Sequence, residues 1–185
     1  MPKAETVKHK WGPTVVPVEM DEVVTRLQSA TEADIERHSD QLVGGADEVR
    51  EPSDREIHDV AGVYLALRDL VTERGFDALT VRCFDLVLNQ KTTGCFALAQ
   101  LTDDGVIAGC EGDLVSTIGL LWSQQLLGET PWMANPAQVD PAANTLWLAH
   151  CTVPRSMVQR YQLRSHFESG LGVGIQGELA NGPVT

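Results

Sequence analysis

The chain reads as an α/β protein, a parallel sheet with flanking helices followed by part of a β-rich C-terminal domain. Three observations predict this. Short apolar runs alternate with amphipathic helical runs up to about residue 127, the pattern of βαβ units. From Gly128 onward, short β-like runs separated by Pro136, Pro141 and Pro154 replace that alternation. Between the two textures, Gly109-Cys110-Glu111-Gly112-Asp113 joins a strand to a helix and sets an acidic residue at the strand's carboxyl end. In open α/β sheets ligands bind at that end. The domain division is therefore 1–127 and 128–185, with the second domain truncated.

The elements follow in order. Residues 14–18 (Thr-Val-Val-Pro-Val) read as a short strand, and 20–41 as polar helix in two pieces broken near 29–31. A loop with Gly44-Gly45 spans 43–52. Ser53 or Asp54 then caps a helix with Glu56 near its third position. Its apolar face is Ile57, Val60, Ala61, Tyr64, Leu67 and Val71, and Gly75 ends it. Residues 78–84 predict a strand, 93–101 a short helix closed by Asp103-Asp104-Gly105, and 106–110 a second strand. Asp113 caps the next helix, which presents Leu114, Ile118, Leu121, Trp122 and Leu126 and stops at Gly128. Beyond it, 132–134, 145–151 and 173–179 read as strands and 156–167 as a helix. The chain stops at 182–185 where a strand would begin, as expected of a piece of a longer protein.

Composition narrows the function. Apolar residues make up 43%, enough for a real core. A net charge of −12 without a Lys/Arg cluster excludes a nucleic-acid surface and docking on anionic membranes. No stretch approaches the roughly 20 apolar residues that span a bilayer, and the polar start lacks a signal-peptide core. The four cysteines, Cys83, Cys95, Cys110 and Cys151, show no CxxC spacing and read as reduced thiols of a cytoplasmic protein. A zinc set from Cys110, His150 and Cys151 is set aside, because adjacent His-Cys pairs rarely share one tetrahedral ion.

Three residues stand out as ligands. Glu111 sits at a strand end between glycines that let backbone approach a ligand closely. His150 ends the run Leu146-Trp147-Leu148-Ala149 at a turn, and Asn135 ends Pro131-Trp132-Met133-Ala134 before Pro136. Each has a plain structural reading: a helix-dipole carboxylate, a hydrogen-bonded histidine and a turn residue. Asp113 is a cap, and His166, with Glu168 beside it, reads as a dipole partner at a helix end. His9, His38 and His58 lie on polar segments and read as solvated. The loop around Lys91 lacks Walker spacing, and GxSxG, HExxH and GxGxxG are absent.

Taken together, Cys110-Glu111-Gly112-Asp113, the stretch 127–135 (Leu-Gly-Glu-Thr-Pro-Trp-Met-Ala-Asn), Ala149-His150-Cys151-Thr152-Val153-Pro154 and Ser165-His166-Phe167-Glu168-Ser169-Gly170 resemble the L-fucose isomerase family. The resemblance covers residues 76–185 well and the first 75 loosely, and matches the family's middle to C-terminal portion. It implies a metal-dependent aldose–ketose sugar isomerase acting through an ene-diol, or a fragment of one. The family's metal-binding glutamate falls on Glu111, its aspartate on Asn135 and its histidine on His150. The ion is usually Mn²⁺, the carboxylates move the proton, and catalysis falls to Glu111 and Asn135. Asn135 departs from the family: its carbonyl can ligate, but it brings no charge and cannot act as a base. The resemblance further implies a sugar substrate, a homo-oligomer with sites between protomers, and regions beyond this chain. Two alternatives stand beside it: a non-catalytic sugar- or metal-binding module that kept the fold, and another metal-dependent carbohydrate enzyme such as an epimerase or aldolase.

Overall fold

Helix α4 (Asp54–Arg74) is the axis around which the chain is built. It starts at a capping box. The Ser53 N–H donates to the Glu56 carboxylate at 2.9 Å, and the Glu56 N–H donates back to the Ser53 hydroxyl at 3.4 Å. It ends at Gly75, whose φ of +63° is left-handed and free of a Cβ penalty. The expected apolar face is buried, and Gly62, Val63, Leu65 and Ala66 are buried as well, so the helix is enclosed on most sides. Helices α2 (Met20–Ser29), α3 (Glu32–Gly44) and α6 (Cys95–Asp103) surround it.

The computed structural model describes residues 4–180. Helix α1 (Ala4–Trp11) precedes the others and buries Val7. The break between α2 and α3 falls at Ala30-Thr31, where Thr31 caps α3. Residues 14–18 form no regular element and join no sheet, contrary to expectation. Pro13 and Pro17 remove the donors a ladder needs. The loop expected at 43–52 contains a two-residue strand, β1 (Glu48–Val49).

Two short parallel strands form the βαβ core. Strand β2 (Ala78–Thr80) pairs with β3 (Ile107–Gly109) in the register Ala78↔Ile107 and Thr80↔Gly109. The strand expected over 78–84 thus ends early, and Cys83–Gln90 forms helix α5 instead. Cys83 and Leu86, three residues apart, are its buried positions. That helical spacing prevails over the β-like composition of the run. Helix α7 (Leu114–Leu127) packs on both strands. Gly109 makes this approach possible: a Cβ there would lie 1.9 Å from the Thr117 hydroxyl.

The C-terminal part is β-rich. Strands β4 (Asn135–Asp140) and β5 (Thr145–Ala149) form an antiparallel hairpin. Residues 132–134, expected as a strand, only lead into β4. The helix expected over 156–167 is instead a 3-10 turn (Arg155–Met157) and strand β6 (Val158–Arg164). Tyr161 and Leu163 are buried while Arg160 is exposed, a period of two that charged and glutamine residues disguise as helix. Strand β6 lies between β1, parallel, and β7 (Gly174–Leu179), antiparallel.

This sheet is tied to the helices. Val153, Tyr161, Leu163, Val173 and Ile175 belong to the same buried cluster as α4 and α6. The Asp103 carboxylate accepts the backbone N–H groups of Arg155 at 2.8 Å and Ser156 at 3.0 Å. The Tyr161 hydroxyl donates to the Leu42 carbonyl at 3.0 Å.

Candidate active site

Glu111 occupies an unusual backbone position. Its φ is +60° and that of Gly112 is +67°, and the Asp113 N–H closes the turn on the Cys110 carbonyl at 3.1 Å. Positive φ at both central residues is the type I′ pattern, which favours Gly, Asn or Asp. A glutamate held there costs on the order of 1–3 kcal/mol, and such strain clusters at functional sites. The surrounding bonds fix it: Glu111 N–H to the Cys83 Sγ at 3.3 Å and Gly112 N–H to the Val81 carbonyl at 2.9 Å. The Glu111 side chain is exposed, and its carboxylate has no hydrogen-bond partner among the described residues. Asp113 is a cap, as expected. It accepts the Val115 and Ser116 N–H groups at 2.9 and 3.0 Å. Its hydrogen bonds, first of all from the Ser116 hydroxyl, hold its carboxyl below the ordinary range.

His150 follows β5, half-buried, with Nδ1 3.1 Å from the Thr152 hydroxyl. Burial pushes its pKa down, and the nearby Glu111 and Glu168 carboxylates pull in the opposite direction. The ring is therefore biased toward the neutral form, the form that ligates metal. Asn135 pairs with Ala149, which puts it at the His150 end of the hairpin. Its side chain is exposed and has no hydrogen-bond partner among the described residues.

His166 lies not at a helix end but in the loop between β6 and β7, and it is buried. Its Nδ1 is 3.0 Å from the Ser169 hydroxyl. Of the histidines expected in solvent, His9 is exposed and His58 is half-buried, 2.8 Å from the Glu32 carboxylate. His38 stands edge-on to Tyr64, ring centres 5.0 Å apart, so it is a packing residue.

An open cavity of about 460 Å³ passes His150, Cys151 and His166 and is lined also by Glu51, Arg164 and Gln176. Glu111 and Asn135 are not among its lining residues. Arg164 is its one cationic Lys/Arg side chain, and it is held by the Glu51 carboxylate at 2.7 Å. Neither Glu51 nor Arg164 carries a sequence signal, and Arg164 falls in the run whose period was misread.

The four cysteines, scattered in sequence, converge around Cys151, which lines this cavity. The Cys83 and Cys110 sulfurs are 2.9 Å apart, and all four thiols are free. Cys151 is near enough to both Cys110 and Cys95 to perturb their thiols or be perturbed by them. The Cys95 and Cys151 sulfurs and a ring nitrogen of His166 lie within 4.8 Å of one another, a grouping able to hold a metal ion. The neighbouring Cys151 thiol and burial together push the Cys110 thiol up to about 12.

No family model matches the chain. It is similar to a sulfoquinovose isomerase of Clostridium sp. (strain MSTE9), 27% identical over 180 residues, which is 95% of this chain and 38% of that protein. It is also similar to the sulfoquinovose isomerase of Priestia aryabhattai, 23% identical over 153 residues, 80% of this chain and 33% of that protein. That of Alkalicoccus urumqiensis is 25% identical over 126 residues, 65% of this chain and 28% of that protein. The chain thus spans less than two-fifths of the length of these curated relatives, whose shared name is that of a sugar isomerase.

Proposed function

We propose that this chain is part of a metal-dependent aldose–ketose sugar isomerase. The observation that carries the reading is Glu111, held at a strained left-handed position with a carboxylate free of hydrogen bonds and close enough to act on His150. The similarity to sulfoquinovose isomerases supports the reaction class.

The donor chemistry suits a hard or borderline divalent ion such as Mn²⁺: a carboxylate oxygen from Glu111, an amide oxygen from Asn135 and an imidazole nitrogen from His150. With Nδ1 of His150 engaged by Thr152, Nε2 is the nitrogen open for ligation. A bound ion supplies polarisation of the sugar's adjacent carbonyl and hydroxyl oxygens. Glu111 carries the proton between C1 and C2 of the sugar along the ene-diol route, since Asn135 cannot act as a base. The relatives' substrate suggests a sulfonated hexose, and Arg164 is the side chain whose charge suits a sulfonate. Domains 1–127 and 128–185 fit an α/β unit and the start of a β unit. The exposed apolar residues of α7 and the hairpin suit a homo-oligomer whose sites are completed between protomers in the cytoplasm.

Manganese binding to the chain, followed by electron paramagnetic resonance, tests the reading. Wild type should bind, and Glu111→Gln and His150→Ala should each weaken binding at least tenfold. Equal binding by all three would overturn it. Asn135 favours one second reading, a sugar-binding module without turnover. Sugar binding with no ketose formed by the full-length protein would establish that reading, and turnover would remove it.

A further inference from the structure

We infer that the four cysteines and His166 form a second metal centre, separate in chemistry from the Glu111–His150 site, which holds one soft or borderline ion of the zinc class. Cys95, Cys151 and His166 are the ligands already grouped, Cys110 takes the fourth position, and Cys83 is the outer thiol against Cys110.

Cys83 opens α5, Cys95 opens α6, Cys110 follows β3 and Cys151 follows β5. Four separate elements therefore bring all four cysteines of the chain to one place. Packing alone gives no reason for this, because a buried thiol packs like any small apolar group and needs no second thiol. A buried histidine joins them, its Nδ1 accepting the Ser169 backbone N–H at 3.3 Å and lying 3.0 Å from the Ser169 hydroxyl, which fixes the ring in place.

The dimensions fit. Tetrahedral zinc with Zn–S near 2.3 Å sets its ligand sulfurs roughly 3.8 Å apart. The sulfurs of Cys95 and Cys151 and the His166 nitrogen already lie within 4.8 Å, so closing on an ion needs movement of about 1 Å. Cys110, 2.9 Å from Cys83 and near Cys151, is the thiol that would move in to make three sulfurs and one nitrogen, a closed structural set. Each thiol that ligates gives its proton to solvent on binding. The sulfur set selects a softer ion than the oxygen-rich Glu111, Asn135 and His150 set, so the two centres sort metals by ligand chemistry. Bound there, the ion ties α6, the end of β3, the segment after β5 and the β6–β7 loop together and fixes the turn that carries Glu111.

Cobalt(II) substitution tests this directly. The reduced, metal-free chain is titrated with Co²⁺ and then with Zn²⁺. The expected result is one Co²⁺ per chain bound with sulfur-to-cobalt charge-transfer absorption and intense tetrahedral d–d bands, displaced by Zn²⁺ and distinct from any Co²⁺ held by oxygen and nitrogen at Glu111 and His150. Cys95→Ser and Cys151→Ser should lose these bands, and Glu111→Gln should keep them. Zn²⁺ should also raise the melting temperature of wild type but not of the cysteine variants, whose fold is checked by circular dichroism. Only weak octahedral bands in wild type, with no charge transfer, would place the ion on oxygen and nitrogen alone and overturn the inference. So would charge-transfer bands that survive in the Cys95→Ser/Cys151→Ser double variant. Neither result depends on sugar turnover, so the isomerase reading stands or falls separately.

Discussion

The region around α4 and the region formed by α7 and the β4–β5 hairpin are both apolar in sequence, yet they meet opposite fates. In the first, Leu42, Val60, Leu98 and Leu101 are fully buried in one continuous cluster. In the second, Leu126 is 83% exposed and Trp147 66% exposed, and every β5 residue faces solvent. A two-stranded hairpin has little stability of its own in water. Apolar periodicity therefore identifies a face that wants cover without identifying what covers it. The candidate ligands border the second region: Glu111 just before α7, Asn135 and His150 at one end of the hairpin.

The contrast is sharpest in mutational cost. Leu101→Ala should destabilise by about 2–5 kcal/mol, as truncation of a fully buried leucine does. Trp147→Ala should stay within about 0.5 kcal/mol in the isolated chain, as exposed sites do. Urea unfolding measures both, and a comparable loss at Trp147 would erase the distinction. Gly109→Ala lies between them, at about 1–3 kcal/mol, because the added Cβ meets the Thr117 hydroxyl on α7. Ser53→Ala should cost about 1 kcal/mol by removing the α4 capping box.

Acid should weaken the caps of both regions. The Ser53 backbone N–H holds the Glu56 carboxyl below its ordinary range, and the Ser116 hydroxyl does the same for Asp113. In the unfolded chain both take up protons near pH ~4. Their stabilisation is thus complete above that range and is lost as pH falls through it toward the lowered folded values. Asp113→Asn should flatten part of this slope in an acid titration followed by circular dichroism. An unchanged slope would mean that the α7 cap contributes nothing to acid stability.

The sequence revealed the covered helices and turns well. The Ser53/Glu56 box, the Gly75 and Gly128 stops and the Asp113 cap are local signals, and all form as expected. Residues 83–84, expected as strand, and 156–167, expected as helix, differ because their composition points one way and their burial period the other. Tyr161 and Leu163 are strand residues only because β1 and β7 flank them, and such long-range pairing leaves no local trace. The gathering of Cys83, Cys95, Cys110 and Cys151 is equally a product of tertiary folding. Glu111 was legible as a strand-end carboxylate, but its positive φ appears only in the folded backbone.

The most direct measurement of the central claim is Mn²⁺-dependent ketose formation from sulfoquinovose by the full-length protein, wild type against Glu111→Gln. A proton-carrying carboxylate contributes about 10²–10⁴-fold. Turnover should require Mn²⁺ and fall at least ~100-fold in the variant. Equal turnover in the variant, or turnover that persists undiminished after Mn²⁺ is removed, would contradict it.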